Sequence, residues 1–206
     1  MNNGWAELTK SNTGGNKVEF SKFEAGTTTT IRCLTSEPVV RWSHFIQSAK
    51  RSITCAGKTK CPICEANEKA KASGLTAPWS TIKKFALIVY NYATERVEIL
   101  EQGTGFFEQL YAFHTDEDLG DLKGYDIKVK RMGVKTNTSY SLIPGVKKEF
   151  NAEEFGVNIN ELPDLNKHFT PPTREQTLAL MEGKSPNEVF GNNNEDNKEK
   201  DEEVEY

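Results

Sequence analysis

The sequence predicts a mainly β domain: a small closed barrel with a metal-binding insertion and a few short helices. Three observations carry this. Short β-branched and aromatic runs recur between turn residues. One stretch with helical spacing falls before the last pair of such runs. Three cysteines cluster within ten residues, in a segment with neither period.

Thr27 to Leu34 alternates Ile31 and Cys33 against Arg32 and Leu34, the pattern of a strand. Glu37-Pro38 breaks it. Val39 to Gln47 is a second strand, and a loop runs from Ser48 to Cys64. Glu65 to Ser73 holds strong helix formers and ends at Gly74. Lys83 to Tyr92 is the clearest strand, apolar on both faces, and turns at Thr94-Glu95 into Arg96 to Leu100. Thr104 to His114 places Phe107, Leu110, Tyr111 and His114 at helical spacing. Tyr125 to Arg131 alternates, and Asn137 to Ile143 is its partner, ending at Pro144-Gly145. About six strands with a helix before the last two suit an oligonucleotide-binding (OB) barrel.

The organisation is then a flexible N-terminal segment (1–26), an OB-type core (27–150) with a zinc loop at 44–64, and a short helical extension (151–190). A disordered acidic tail (191–206) follows. Thr173 to Gln176 and Ser185 to Glu188 match the capping box, so helices start there. No apolar run of about eighteen residues spans a membrane. The N-terminus lacks a secretory pattern, so the expected compartment is a reducing cytoplasm, where cysteines read as metal ligands. The net charge of −4 is unevenly placed: Glu195 to Tyr206 alone holds −5, leaving the rest at about +1.

Cys55, Cys61 and Cys64 supply three ligands for one zinc ion, with Cys61-Pro62-Ile63-Cys64 as a tight turn whose sulfurs converge. Lys58 and Lys60 favour thiolates beside them. The fourth ligand is His44, Cys33 or a more distant histidine. His44 leads because its strand runs into the loop; Cys33 alternates with Ile31 and suits a core face. A filled Cys3His shell makes the ion structural, since no position stays open for substrate. Gly57-Lys58-Thr59 resembles the end of a phosphate-binding loop, but Ser52 stands where its leading glycine belongs. No catalytic constellation is found, so the expectation is a binding protein.

Cations and rings surround this loop: Arg41, Trp42, Phe45, Lys50, Arg51, Lys58, Lys60, Trp79, Lys83 and Lys84. Tyr90 and Tyr92 end the long strand, and Lys128, Lys130, Arg131 and Lys135 lie on and after the fifth strand. Single strands are held by cations along the phosphates and rings stacked on bases. Phe85, Leu87, Val89, Phe107 and Tyr111 read as core, and part of the lysine set reads as solvated surface.

Arg41-Trp42-Ser43-His44, Lys50-Arg51-Ser52, Cys55, Cys61-Pro62-Ile63-Cys64, the Lys83–Tyr92 strand and Glu101-Gln102-Gly103 with Phe106-Phe107 together resemble bacteriophage single-stranded-DNA-binding proteins. The likeness is to the helix-destabilising type of T-even phages. It covers about residues 27–150 and the character of the tail. It implies an OB barrel, a zinc subdomain of one His and three Cys (here His44, Cys55, Cys61 and Cys64), and an acidic tail. It further implies coating of single-stranded DNA without sequence preference in replication, recombination and repair. The tail would contact replication and recombination proteins, in the cytoplasm of an infected host. Only Lys10 and Lys17 are basic before Lys22, so the resemblance does not extend to a basic N-terminal arm for cooperative binding. The alternative is a zinc-ribbon adaptor binding protein partners; a zinc-stabilised enzyme is the weakest reading.

Overall fold

The computed structural model describes residues 18–134 and 137–191. Most of the N-terminal segment, Lys135 and nearly all of the acidic tail, each given a role above, lie outside the described residues.

Seven strands form one antiparallel sheet: β1 (Thr28–Cys33), β2 (Val39–Ile46), β3 (Arg51–Thr54), β4 (Ile82–Asn91), β5 (Arg96–Gln102), β6 (Tyr125–Met132) and β7 (Ser139–Lys147). Among the described residues five α-helices accompany it: α1 (Pro62–Ala72), α2 (Thr104–His114), α3 (Leu165–His168), α4 (Arg174–Met181) and α5 (Pro186–Phe190). β3 falls within the stretch expected to be loop. α1 starts three residues earlier than expected, because Pro62 at its first position needs no hydrogen-bond partner there.

β4 is the spine. One edge pairs with β5 from Phe85↔Gln102 to Asn91↔Arg96. Its other edge pairs with β2 over Ile82 to Ala86 and with β1 over Val89 to Asn91, so β1 and β2 lie end to end. The break between them holds Pro38, which lacks a ladder donor. β6 returns beyond α2 to lie beside β1, and β7 pairs with β6. The order β6-β1-β4-β5 is a Greek key.

The expected closure into a barrel does not occur: among the described residues no ladder joins β7 to β5 or β3. Both edges that could meet are occupied. On β5, Ile99 donates to the Glu19 carbonyl and accepts from the Ser21 amide, each at 2.9 Å. On β7, the Gln109 amide of α2 accepts from Leu142 N–H at 3.2 Å and donates to the Tyr140 carbonyl at 3.0 Å. A covered edge has no free groups to recruit another strand.

Apolar side chains fill three regions. On one face of the sheet Ile31, Leu87, Val89, Leu100, Ile127 and Val129 pack against Phe106, Phe107 and Leu110 of α2. On the opposite face Ala86, Ile88, Tyr90 and Ile99 are covered by Val157, Leu165 and Phe169 of the C-terminal extension. The third region joins Ile46, Ile53, Cys61 and Ile63 to Leu180.

Arg32 is fully buried on β1. Its guanidinium donates to Asp126 Oδ1 at 2.7 Å and to the carbonyls of Lys123 and Lys148, both at 3.0 Å. Tyr92 donates to the same carboxylate oxygen, and Lys148 Nζ lies 3.0 Å from the other. Burial pushes the Asp126 carboxyl up, but Lys148, Tyr92 and Arg32 outweigh it and hold its pKa below the ordinary range. A depressed folded pKa means stabilisation that is complete above the unfolded value of about 3.9 and lost as pH falls through the folded one. Asp126→Ala is therefore expected to destabilise the fold by about 3–5 kcal/mol near neutral pH, by stranding a buried cation. The gap to wild type should narrow in acid below pH ~4; urea unfolding at pH 7 and pH 3 measures both.

Candidate metal centre

The β2–β3 hairpin sets His44 opposite Ile53 and continues through a Cys55 N–H bond to the Trp42 carbonyl at 2.8 Å. His44 and Cys55 thereby sit side by side. Gly57 turns the chain at φ +97°, a region glycine enters without strain. Its carbonyl accepts from the amides of Lys60 (3.0 Å) and Cys61 (2.9 Å), which aims the chain into α1. Cys61 caps that helix and Cys64 lies in its first turn.

The imidazole and the three sulfurs converge: the ligand atoms of His44, Cys55, Cys61 and Cys64 all lie within 4.8 Å of one another. Cys64 Sγ is 3.5 Å from Cys55 Sγ and 3.5 Å from His44 Nε2. His44 Nδ1 is 3.0 Å from the Ser80 carbonyl and 3.3 Å from Thr81 Oγ1. A proton on Nδ1 donates to that carbonyl and leaves the Nε2 lone pair facing the sulfurs, the usual outer contact of a metal-bound histidine. The set could hold one metal ion. Cys33 is elsewhere, buried in the core beneath α2 with its thiol pushed up to about 12 by burial. Ser80 and Thr81 carried no signal in the sequence, because ordinary loop residues become partners only through the fold.

Burial lowers the His44 pKa, so the ring is neutral at pH 7 and ready to ligate. Burial also raises Cys55, and with its hydrogen bond to Cys55 it pushes Cys64 up to about 12. The expectation that Lys58 and Lys60 draw the thiols toward thiolate is thus corrected for Cys55, where burial dominates, and for Cys64, where burial and the neighbouring thiols do. A bound cation is what would remove these protons.

The expected nucleic-acid residues separate into groups. Arg41 is enclosed, bonded to Glu101 and Thr54 with its guanidinium 4.5 Å above Phe169. Lys84 pairs with Glu101 at 3.2 Å. Arg51 stacks on Phe190 at 5.0 Å, and Arg131 donates to the Phe23 carbonyl. Tyr90 is core, Tyr92 is committed to Asp126, and Trp79 packs among the apolar groups behind the metal cluster. Lys50, Lys58 and Lys60 are exposed around the metal loop, with Phe45 half-buried.

The register divides the remainder. Trp42 pairs with Lys83, on the face that continues through Phe85 and Leu87. Lys128 pairs with Thr30 and so points to the other face, with Lys130. Trp42 is 49% exposed. The Lys83 ammonium lies 4.9 Å over the Phe85 ring. Phe85 is also a wall of a cleft of about 410 Å³ bounded by Pro38, Phe107, Tyr111 and His114. Tyr111, expected in the core, is 67% exposed at that cleft.

Comparison with known proteins returns no match: no family model, curated protein or solved structure corresponds to this chain. No helix among the described residues is long and apolar enough to cross a membrane.

Cobalt(II), whose absorption reports thiolate ligation, is expected to bind the wild-type chain one to one. His44→Ala and Cys64→Ser should weaken uptake at least tenfold, while Cys33→Ala should leave it unchanged. Because the ion must displace thiol protons, affinity should rise with pH, by up to about three decades per unit for three thiols. A pH-independent affinity, or loss of uptake in Cys33→Ala, would refute this assignment.

Proposed function

We propose that the chain is a single-stranded-DNA-binding protein that coats DNA without sequence preference, with one structural zinc ion bracing the sheet beside its binding face. The observation that carries this reading is the strip Trp42–Lys83–Phe85 leading to the cleft at Tyr111. It offers stacking surfaces at both ends with an exposed cation between them. Stacking is indifferent to base identity and contributes about 1–3 kcal/mol per base, and the cation holds phosphate.

Zinc is favoured over other ions by the donor set. Three thiols and one imidazole suit its tetrahedral shell. Edges of a tetrahedron with metal–sulfur bonds near 2.3 Å are about 3.8 Å. The 3.5 Å separations around Cys64 are close to that before any adjustment. Four donors from the chain itself fill the shell, which favours a structural ion. His44, Cys55, Cys61 and Cys64 would hold it, and its charge would keep the sulfurs ionised.

Support for an OB-type fold comes from the five strands β7-β6-β1-β4-β5, their Greek key and the helix before β6. The OB barrel is itself a partly open Greek-key barrel. The sequence resemblance to phage proteins of replication, recombination and repair adds to this, with the acidic run from Glu195 as the contact for replication and recombination proteins. A zinc-ribbon adaptor is the second reading. It is favoured by the engagement of Arg41, Lys84, Tyr90 and Tyr92 with the chain's own groups, which takes two cations and two rings out of the expected binding pattern.

Titration of the protein with fluorescent single- and double-stranded oligonucleotides at several salt concentrations separates the two. The first reading expects strong single-strand preference. Trp42→Ala should weaken binding about tenfold with the salt dependence unchanged. Lys83→Ala should reduce the slope of log affinity against log salt by about 0.7. Lys128→Ala, on the opposite face, should do little, and deleting residues 192–206 should leave binding intact or stronger. No binding at low salt would overturn this reading in favour of the adaptor.

A further inference from the structure

The last two helices sit on the metal module. α4 and α5 have eight and five residues, too short to be stable alone in water. Their apolar groups Leu180, Met181, Val189 and Phe190 join one cluster with Ile46, Ile53, Ile63 and the ligands Cys55, Cys61 and Cys64. Leu180 is fully buried there. Its carbonyl accepts from Ser48 Oγ at 3.2 Å. Arg174 opens α4 with a two-pronged contact to Glu65 of α1, at 2.8 and 2.7 Å. The wall that receives Leu180 is therefore built partly from the cysteine loop. Between Cys55 and Cys61 that loop has no regular structure beyond the Gly57 turn.

We propose that metal binding and docking of the C-terminal helices are one coupled equilibrium: the ion holds the seat on which α4 and α5 rest, and its loss releases residues 174–190. This rests on the metal reading above. Without an ion the ligand loop has little to fix it, so Cys61 and Ile63 lose their places and Leu180 loses its wall. The sheet does not share this dependence, because β4 draws its burial from α2 and from the segment ending at Phe169. Glu195, where the run of net charge −5 begins, is five residues beyond Phe190. Release therefore also frees the point from which that charge is tethered. Coupling is reciprocal, so weakening the helix dock must weaken metal binding by the same factor.

Hydrogen–deuterium exchange of the full chain, zinc-loaded and then stripped with a chelator, tests this, with metal content measured on the same samples. Amides of 174–190 are expected to exchange at least tenfold faster after stripping, together with 55–72, while Ala86 to Tyr90 stay protected. In the reciprocal arm, Leu180→Ala and the surface variant Arg174→Glu are expected to lower zinc affinity about tenfold in a chelator competition. Retained protection of 174–190 after verified metal loss overturns the proposal, as does wild-type zinc affinity in both variants. So does loss of protection in β4, since the module would then not be separable. A wild-type chain that takes up no metal overturns the metal reading itself, a result distinct from metal loss without helix release.

Discussion

A strand that is hydrogen-bonded along both edges and covered on both faces can carry little charge along its length. β4 meets that constraint from Ala86 to Tyr90, all of them buried. Its neighbours are placed by it. Pairing with β1 and β2 end to end on one edge forces the Pro38 break to fall between them, and pairing with β5 on the other fixes the hairpin. Covering both faces requires two separate lids, α2 and the segment from Phe150 to Phe169. Where β4 outruns its lids, Ile82 is exposed and Lys83 and Lys84 follow it. That end bears Lys83 beside Trp42 and lies next to the hairpin that carries His44.

The same geometry explains why the sheet stays open. A barrel closes when its edge strands find each other's free amides and carbonyls. Here Phe20 and its neighbours take the outer edge of β5, and Gln109 reproduces with one side-chain amide what a paired strand would give Tyr140 and Leu142. Gln109 is spaced from Phe106 and Leu110 so that α2 reaches β7 while its apolar side lies on the core. Phe85 and Phe107 border the cleft between Pro38 and α2, while Phe107 itself stays buried in the core.

Local pattern was legible where it depends on period and punctuation. The alternation on β6, the doubly apolar run of β4, the helical spacing of α2 and both capping boxes, complete at Thr173 and Ser185, are properties of a few adjacent residues. The cysteine spacing was legible for the same reason, since the hairpin and the Gly57 turn need only short chain segments to close. Partnerships across the chain were not. Arg41 and Lys84 read as free cations until Glu101, 60 residues from Arg41, draws both inward. Tyr90 read as a ring for stacking until the C-terminal segment covers it with Phe150 and Phe155. A charge or a ring in sequence carries no mark of whether a remote segment will claim it.

That distinction bears on how the metal module relates to the rest. Its four candidate ligands come from one contiguous stretch, His44 to Cys64, so they can be brought together by local structure before distant contacts form. Its outer surface is the opposite case. Glu65 and Ile63 acquire Arg174 and Leu180 from more than a hundred residues away. Closing so long a loop costs chain entropy that two short helices repay only if their seat is already ordered. A metal ion that orders the seat lowers that cost without touching the helices. On the proposed metal reading, one set of atoms would then serve both the strand end at Trp42 and Lys83 and the seat of the helices between Arg174 and Phe190.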